Sequence, residues 1–149
     1  MPRRALLRQI PIFSGLTDTA LAALEASMVL KRLPPGGVLI EERAPGVCGY
    51  AVLSGRLKVT TAANGRDLAL NIVGPGSLIG ERALLDPGPR SASAIALGPA
   101  RVLVLHRRDL LPFLQRHPEA ALSMMTALVR RIRQISRARR DLACLPLAE

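Results

Sequence analysis

The hydrophobic pattern changes period twice along the chain. Near the start, Thr17-Asp18 leads into "TALAALEAS", where Ala20, Leu21 and Leu24 fall on one side of a helix. Thr17 suits its N-cap and Asp18 its first turn. From Val29 to His106 the period shortens to that of strands. The runs "VLKRL", "GVLI", "YAVLSG", "RLKVTT", "LALNIV", "SLIG", "SASAIAL" and "RVLVLH" alternate with "PPGG", "APG", "GPG", "DPGP" and "GP". Asn64-Gly65, between "KVTTA" and "RDLALNIV", is the strongest single hairpin signal. Short strands at this spacing predict a β-sandwich or barrel-like roll. After Arg107 the helical period returns. Asp109 is expected to cap "LLPFLQRH", with Pro112 in a first turn whose N–H groups are unpaired anyway. His117-Pro118-Glu119 then starts a long helix, with proline at its first position and an acid beside it.

The long helix carries a stripe of its own. Ala121, Met125, Leu128, Ile132, Ile135, Arg139 and Leu142 are spaced alternately four and three apart, a heptad seam with Arg139 as its misfit. Such a stripe can pack on the roll. Its narrowness, and the flanking Arg130, Arg131, Arg133, Arg137 and Arg140, favour a parallel two-helix homodimer seam instead. The predicted fold is therefore mainly β with flanking helices. It is a jelly-roll-like β-roll of about eight strands (29–106) with an N-terminal helix, a short helix near Gly80 and a long C-terminal dimerisation helix (118–143). Residues 1–143 read as one domain, with 144–149 left over.

Composition narrows the function classes. No run of eighteen apolar residues exists although 49% of the chain is hydrophobic, so no membrane span is expected. The basic start "MPRRALLRQIPIF" is too short and interrupted in its apolar part for a secretory signal, which makes a soluble, cytoplasmic protein the expectation. Tryptophan is absent and aromatics are 2%, so the core must be aliphatic and a base-stacking surface is missing. Cys48 and Cys144 are far apart, and His106 and His117 are isolated, so neither a metal site nor an iron–sulfur cluster is expected. No Ser/His/Asp grouping supports a nucleophilic enzyme. The net charge of +10 fits either nucleic acid as a partner or simply solvated arginine-rich helix faces.

Chemistry concentrates in "GSLIGERALLDPGPRSASAIA", residues 76–96, where one carboxylate and one guanidinium sit nine apart in core-like sequence. Gly80 lets backbone approach a ligand, and a helix starting there offers free N–H groups to an anion. Arg90 can grip phosphate oxygens with two prongs, as a lysine cannot. Glu81, when ionised, is a pure acceptor for a hydroxyl. Ser91 adds a hydroxyl, and the small Ala92 and Ser93 leave room. Glu81 and Arg90 could also form a mutual structural ion pair, although buried pairs are a poor route to stability.

A helix, a β-roll and two more helices, with "GERALL" and "PRSAS" late in the roll, resemble the cyclic nucleotide-binding domain over almost the whole chain. "LPPGGVLIEERAPG" and "GYAVLSGRLKV" look like that family's early hairpins. The resemblance implies a phosphate cassette of Gly80, Glu81, Arg82, Ala83 and Leu84 with Arg90, Ser91 and Ala92. In it, Glu81 takes the ribose 2′-hydroxyl and Arg90 the cyclic phosphate. Arg82 departs from the pattern, because the family usually has an apolar residue there. Within the family the chain is most similar to bacterial cyclic-AMP receptor proteins, which are transcription regulators. Pro118 to Leu147 can be laid along their long helix without a gap. Where those proteins have a Thr-Ser pair contacting adenine, this chain has Ile135-Ser136, which keeps one hydroxyl. The implied ligand is cyclic AMP or another cyclic nucleotide, guanine staying open because Ser91 also suits it, and no metal. "RRDLACLPLAE" looks like the segment where those regulators pass into a winged helix-turn-helix. Residues 144–149 are thus expected to be a hinge to an absent DNA-binding domain, the only route to DNA. The same fold also serves as a regulatory module of ion channels and transporters. The hinge-like tail and the lack of a membrane segment favour the regulator.

Overall fold

The computed structural model describes residues 2–63 and 65–143. Two helices, α1 (Arg3–Arg8) and α2 (Asp18–Ala26), precede the strands β1 (Val29–Leu33), β2 (Val38–Ile40), β3 (Pro45–Gly46), β4 (Cys48–Ser54), β5 (Leu57–Ala63), β6 (Arg66–Val73) and β7 (Leu78–Ile79). A single helical turn, α3 (Arg82–Leu85), separates these from β8 (Gly88–Pro89), β9 (Ser93–Ala96) and β10 (Ala100–His106). The helices α4 (Arg107–Arg116) and α5 (Pro118–Ala143) follow. The strands form two four-stranded antiparallel sheets, β1-β10-β4-β7 and β2-β9-β5-β6, and a small β3-β8 pair. The expected β-roll is present.

Alternation along the central strands builds the layers. On β10, Ala100, Val102 and Val104 enter the roll interior, while Leu103 and Leu105 face the helices. On β4, Cys48 and Val52 point inward, and Ala51 and Leu53 point to the helices. A sheet buried on both faces needs apolar residues at successive positions, which is why "AVL" and "VLVL" read as continuous runs. The helix-side core takes Leu7, Phe13, Leu21, Leu24, Phe113, Ala120 and Met124. A fully buried leucine of this kind stabilises the fold by roughly 1.5–3 kcal/mol relative to exposure. The outer edge is different: Leu68, Leu70 and Ile72, spaced two apart on β6, are about half exposed.

Thr17 caps α2 as expected, its Oγ1 accepting from the Ala20 N–H at 3.1 Å, and Ala20, Leu21 and Leu24 are fully buried. Strands β5 and β6 pair from Leu57↔Val73 to Ala63↔Arg66, and Gly65 has φ +74°. The hairpin therefore forms, although Asn64 itself lies outside the described residues.

Four expectations are corrected. The basic start of the chain, expected only not to be a secretory signal, forms helix α1. It has no side-chain cap, and it is held by packing of Leu7. Strands β3 and β8 occupy Pro/Gly stretches expected to be turns, and they exist because they pair with each other, giving ten strands among the described residues where about eight are expected. Helix α4 starts at Arg107, so Asp109 lies in its first turn rather than at its cap, and Pro112 is the sixth helical residue. The reason is that His106 ends β10 in an extended conformation and serves as the N-cap. Helix α3 starts at Arg82 rather than Gly80, because Gly80 takes φ +70°, which a right-handed helix excludes.

Candidate functional site

A cavity of about 1050 Å³ opens between the roll, the α1–α2 connection and α5. Its floor is Gly76 to Ala83, one side is Gly88 to Ala94, and Val59, Asn71 and Val73 add a wall from the β5–β6 hairpin.

Arg90 is the best-held side chain in it. Its Nη1 donates to the Gly80 carbonyl at 3.0 Å and its Nη2 to the Cys48 carbonyl at 2.7 Å. The guanidinium also lies over the Tyr50 ring, 5.6 Å from the centroid. Two carbonyls use two of its five N–H donors and fix its plane, leaving donors for an anion. A Cβ at Gly80 would stand 2.6 Å from Arg90 Nη1, so glycine is required there twice, for the positive φ and for the guanidinium. Main-chain bonds complete the frame, since Arg90 N–H donates to the Ala44 carbonyl (2.9 Å) and Arg43 N–H to the Arg90 carbonyl (2.8 Å).

The loop carrying Arg43 and Ala44 is fastened by Glu42, a residue the motif reading missed. Its carboxylate accepts from Thr61 Oγ1 at 2.6 Å and from Ala62 N–H at 3.0 Å, while its own N–H donates to Ser93 Oγ. These donors hold its pKa below the ordinary 4.5, the Thr61 hydroxyl contributing most and the Ala62 N–H next.

Glu81 does not pair with Arg90. It accepts from Arg131 Nη1 of α5 at 3.0 Å, with Glu81 27% and Arg131 60% exposed. The pair ties the cassette to the long helix. Arg107 holds the other end of α3, its Nη1 donating to the Leu84 carbonyl at 2.9 Å.

The structure brings Gly80, Glu81, Arg82, Ala83, Arg90, Ser91 and Ala92 to the cavity. Arg82 is exposed at its edge, donating to the Pro89 carbonyl at 3.2 Å. Leu84 is not at the cavity. It faces the helix-side core and is 2% exposed. Ile135 and Ser136 do not line the cavity of a single chain either. Helix α5 meets it through Leu122, Ser123, Thr126, Ala127, Arg130, Arg131 and Gln134, and every residue from Val129 to Asp141 is exposed. Of the seam positions, Ala121 and Leu128 are half-buried, and Met125, Ile132 and Ile135 are at least half exposed. The Leu142 side chain, Cys144 and the expected hinge lie outside the described residues.

Residues 30–117, more than half of the chain, match the cyclic nucleotide-binding domain. This chain belongs to the cyclic nucleotide-binding domain family. It is 32% identical over 138 residues to the CRP-like cAMP-activated global transcriptional regulator of Mycobacterium tuberculosis, covering 92% of this chain and 62% of that protein. It is 36% identical over 126 residues to the cyclic AMP receptor protein of Thermus thermophilus, covering 83% of this chain and 58% of that one. The chain thus spans about three fifths of the length of these relatives. Among solved structures, the N-terminal domain of a transcriptional regulator from Streptomyces coelicolor superposes with a TM-score of 0.84 at 40% identity, covering 89% of this chain and 96% of that one. The chain is thus a cyclic nucleotide-binding domain related to such regulators. No helix among the described residues is long and apolar enough to cross a membrane.

The Glu42 tether has a defined pH signature. A carboxylate with a lowered folded-state pKa stabilises the fold above its unfolded value, and that contribution fades as pH falls through the lowered value. Urea unfolding of the wild type and Glu42→Ala should therefore differ near neutral pH and converge in the acid range below 4.5. A gap that stays constant into that range would show that the charge of Glu42 does not hold the loop.

Proposed function

We propose that this chain is the cyclic nucleotide-sensing effector and dimerisation domain of a bacterial transcription regulator, with cyclic AMP as the first ligand to test. The observation that carries the reading is Arg90, a guanidinium fixed by two carbonyls at the cavity and, among the described residues, in no ion pair with a carboxylate. A cyclic nucleotide offers one phosphate charge, a ribose hydroxyl and a flat base. In this reading Arg90 takes the phosphate with Ser91 and the backbone of Gly80 to Ala83, Arg82 stands at the rim, and Glu81 takes the 2′-hydroxyl. The base lies toward α5. The relatives whose names include cyclic AMP support this choice of ligand.

Signalling follows from the Glu81–Arg131 pair. An ion pair this exposed is worth about 0–1 kcal/mol, so a hydroxyl competing for Glu81 can release or re-aim it. The ligand then biases where α5 sits. In the proposed organisation residues 1–143 form the sensing and dimerising unit, and 144–149 lead toward a DNA-binding domain. The protein is cytoplasmic and acts by binding rather than by catalysis. Dimerisation is proposed through 118–143, on the evidence of exposed Leu122, Met125, Val129, Ile132 and Ile135 along α5. In this reading the base meets Ile135 and Ser136 only when two copies of α5 pair.

Two measurements test these points. Calorimetry should show Arg90→Ala weakening cyclic nucleotide binding by about 2–5 kcal/mol, as for truncation of a hydrogen-bonded charge partner. Unchanged affinity would place the phosphate elsewhere. Sedimentation should find the wild type dimeric and Ile132→Glu monomeric, with the same circular dichroism. A monomeric wild type would remove the seam.

A further inference from the structure

An arginine that binds phosphate must be oriented without being neutralised. A carboxylate partner would orient Arg90 but cancel its charge. What lies beneath it instead is an aromatic ring. Tyr50 sits two residues after Cys48 on β4, so both side chains share one face of the strand. The Arg90 Cζ is 5.6 Å from the ring centroid, within range for a cation over a π face. Cys48 closes the arrangement. Its carbonyl accepts from Arg90 Nη2 at 2.7 Å, its sulfur lies 3.6 Å from the same nitrogen, and its Sγ–H donates to the Tyr50 hydroxyl at 3.1 Å. The ring is thus pinned at its hydroxyl end with its face under the guanidinium. The phenol pKa is pushed up to about 12, first by burial and then by the Cys48 hydrogen bond. Tyr50 therefore stays neutral near pH 7 and presents a π face rather than a competing anion.

We propose that Tyr50 is a positioning residue for Arg90: its ring is the platform that sets the plane of the guanidinium and leaves its full charge facing the cavity. The proposal rests on the reading of Arg90 as the anion-binding group. It adds that affinity for the anion depends on a side chain that need not touch the ligand.

A double-mutant cycle with cyclic AMP as the probe separates this from a merely structural role. With Arg90 present, Tyr50→Leu should weaken binding by about tenfold and Tyr50→Phe, which keeps the ring, by less than about twofold. In an Arg90→Gln background the same changes should leave the residual affinity alike. An equal loss from Tyr50→Leu in both backgrounds overturns the proposal, and so does a Tyr50→Phe loss as large as that of Tyr50→Leu. A second readout needs no ligand. Tyr50 is the single tyrosine and the chain has no tryptophan, so tyrosine emission comes from this ring alone. Arg90→Gln must change the emission of the nucleotide-free protein, whereas Arg101→Gln, beside Ser54 at the far end of β4, must not. Emission unaltered by Arg90→Gln overturns the contact whatever the binding data show. Failure of the wild type to bind any cyclic nucleotide sinks the ligand reading, and emission then still decides whether Tyr50 holds Arg90.

Discussion

The site depends on one guanidinium being held by main chain. Arg90 joins the Gly80 carbonyl, ten residues away, to the Cys48 carbonyl, forty-two away. Through these bonds the cassette, strand β4 and the β8–β9 connection become one rigid frame. Charge-assisted bonds to carbonyls are strong enough to order a side chain, yet unlike an ion pair they leave its charge uncompensated. That combination is what an anion site needs. It also explains the glycines around Arg90. Gly80 supplies a left-handed turn and room for Nη1, and a side chain at Gly46 would collide with the same guanidinium.

The second consequence is mechanical. An exposed ion pair, Glu81–Arg131, links the segment around α3 to α5. Helix α5 is anchored to the core at Ala120 and Met124 but exposed from Val129 to Asp141. A strong frame on one side and a weak tie on the other is a sensible division for a sensor. In the proposed reading the phosphate end stays preorganised, and the helix end can respond to a small change in interaction energy.

Much of the fold was legible because its signals are local. Alternation and Gly/Pro punctuation delimit β1, β4, β5 and β10 within a residue or two, and Thr17 and Pro118 mark helix starts by chemistry confined to one turn. What escaped was set by tertiary placement. Helix α1 is six residues without a cap, and β3 and β8 are Pro/Gly pairs that become strands only by meeting. In the site, Gly80, Glu81 and Arg90 stood out because a Gly-Glu pair and an Arg-Ser pair interrupt otherwise core-like sequence. Tyr50, Glu42 and Arg131 did not, since Arg90, Thr61 and Glu81, the groups they act on, are far from them in sequence and no short motif links them. Glu42 carried one faint signal, a charge inside an early hairpin otherwise marked by turn residues. Ile135-Ser136 shows the limit of resemblance: alignment picked the positions, but in one chain the helix meets the cavity up to Gln134.

The most direct test of the central claim is a crystal structure of this chain with cyclic AMP bound. The account predicts the cyclic phosphate within hydrogen-bonding distance of the Arg90 guanidinium, with a ribose hydroxyl on Glu81. A nucleotide seated with its phosphate away from Arg90 would contradict it.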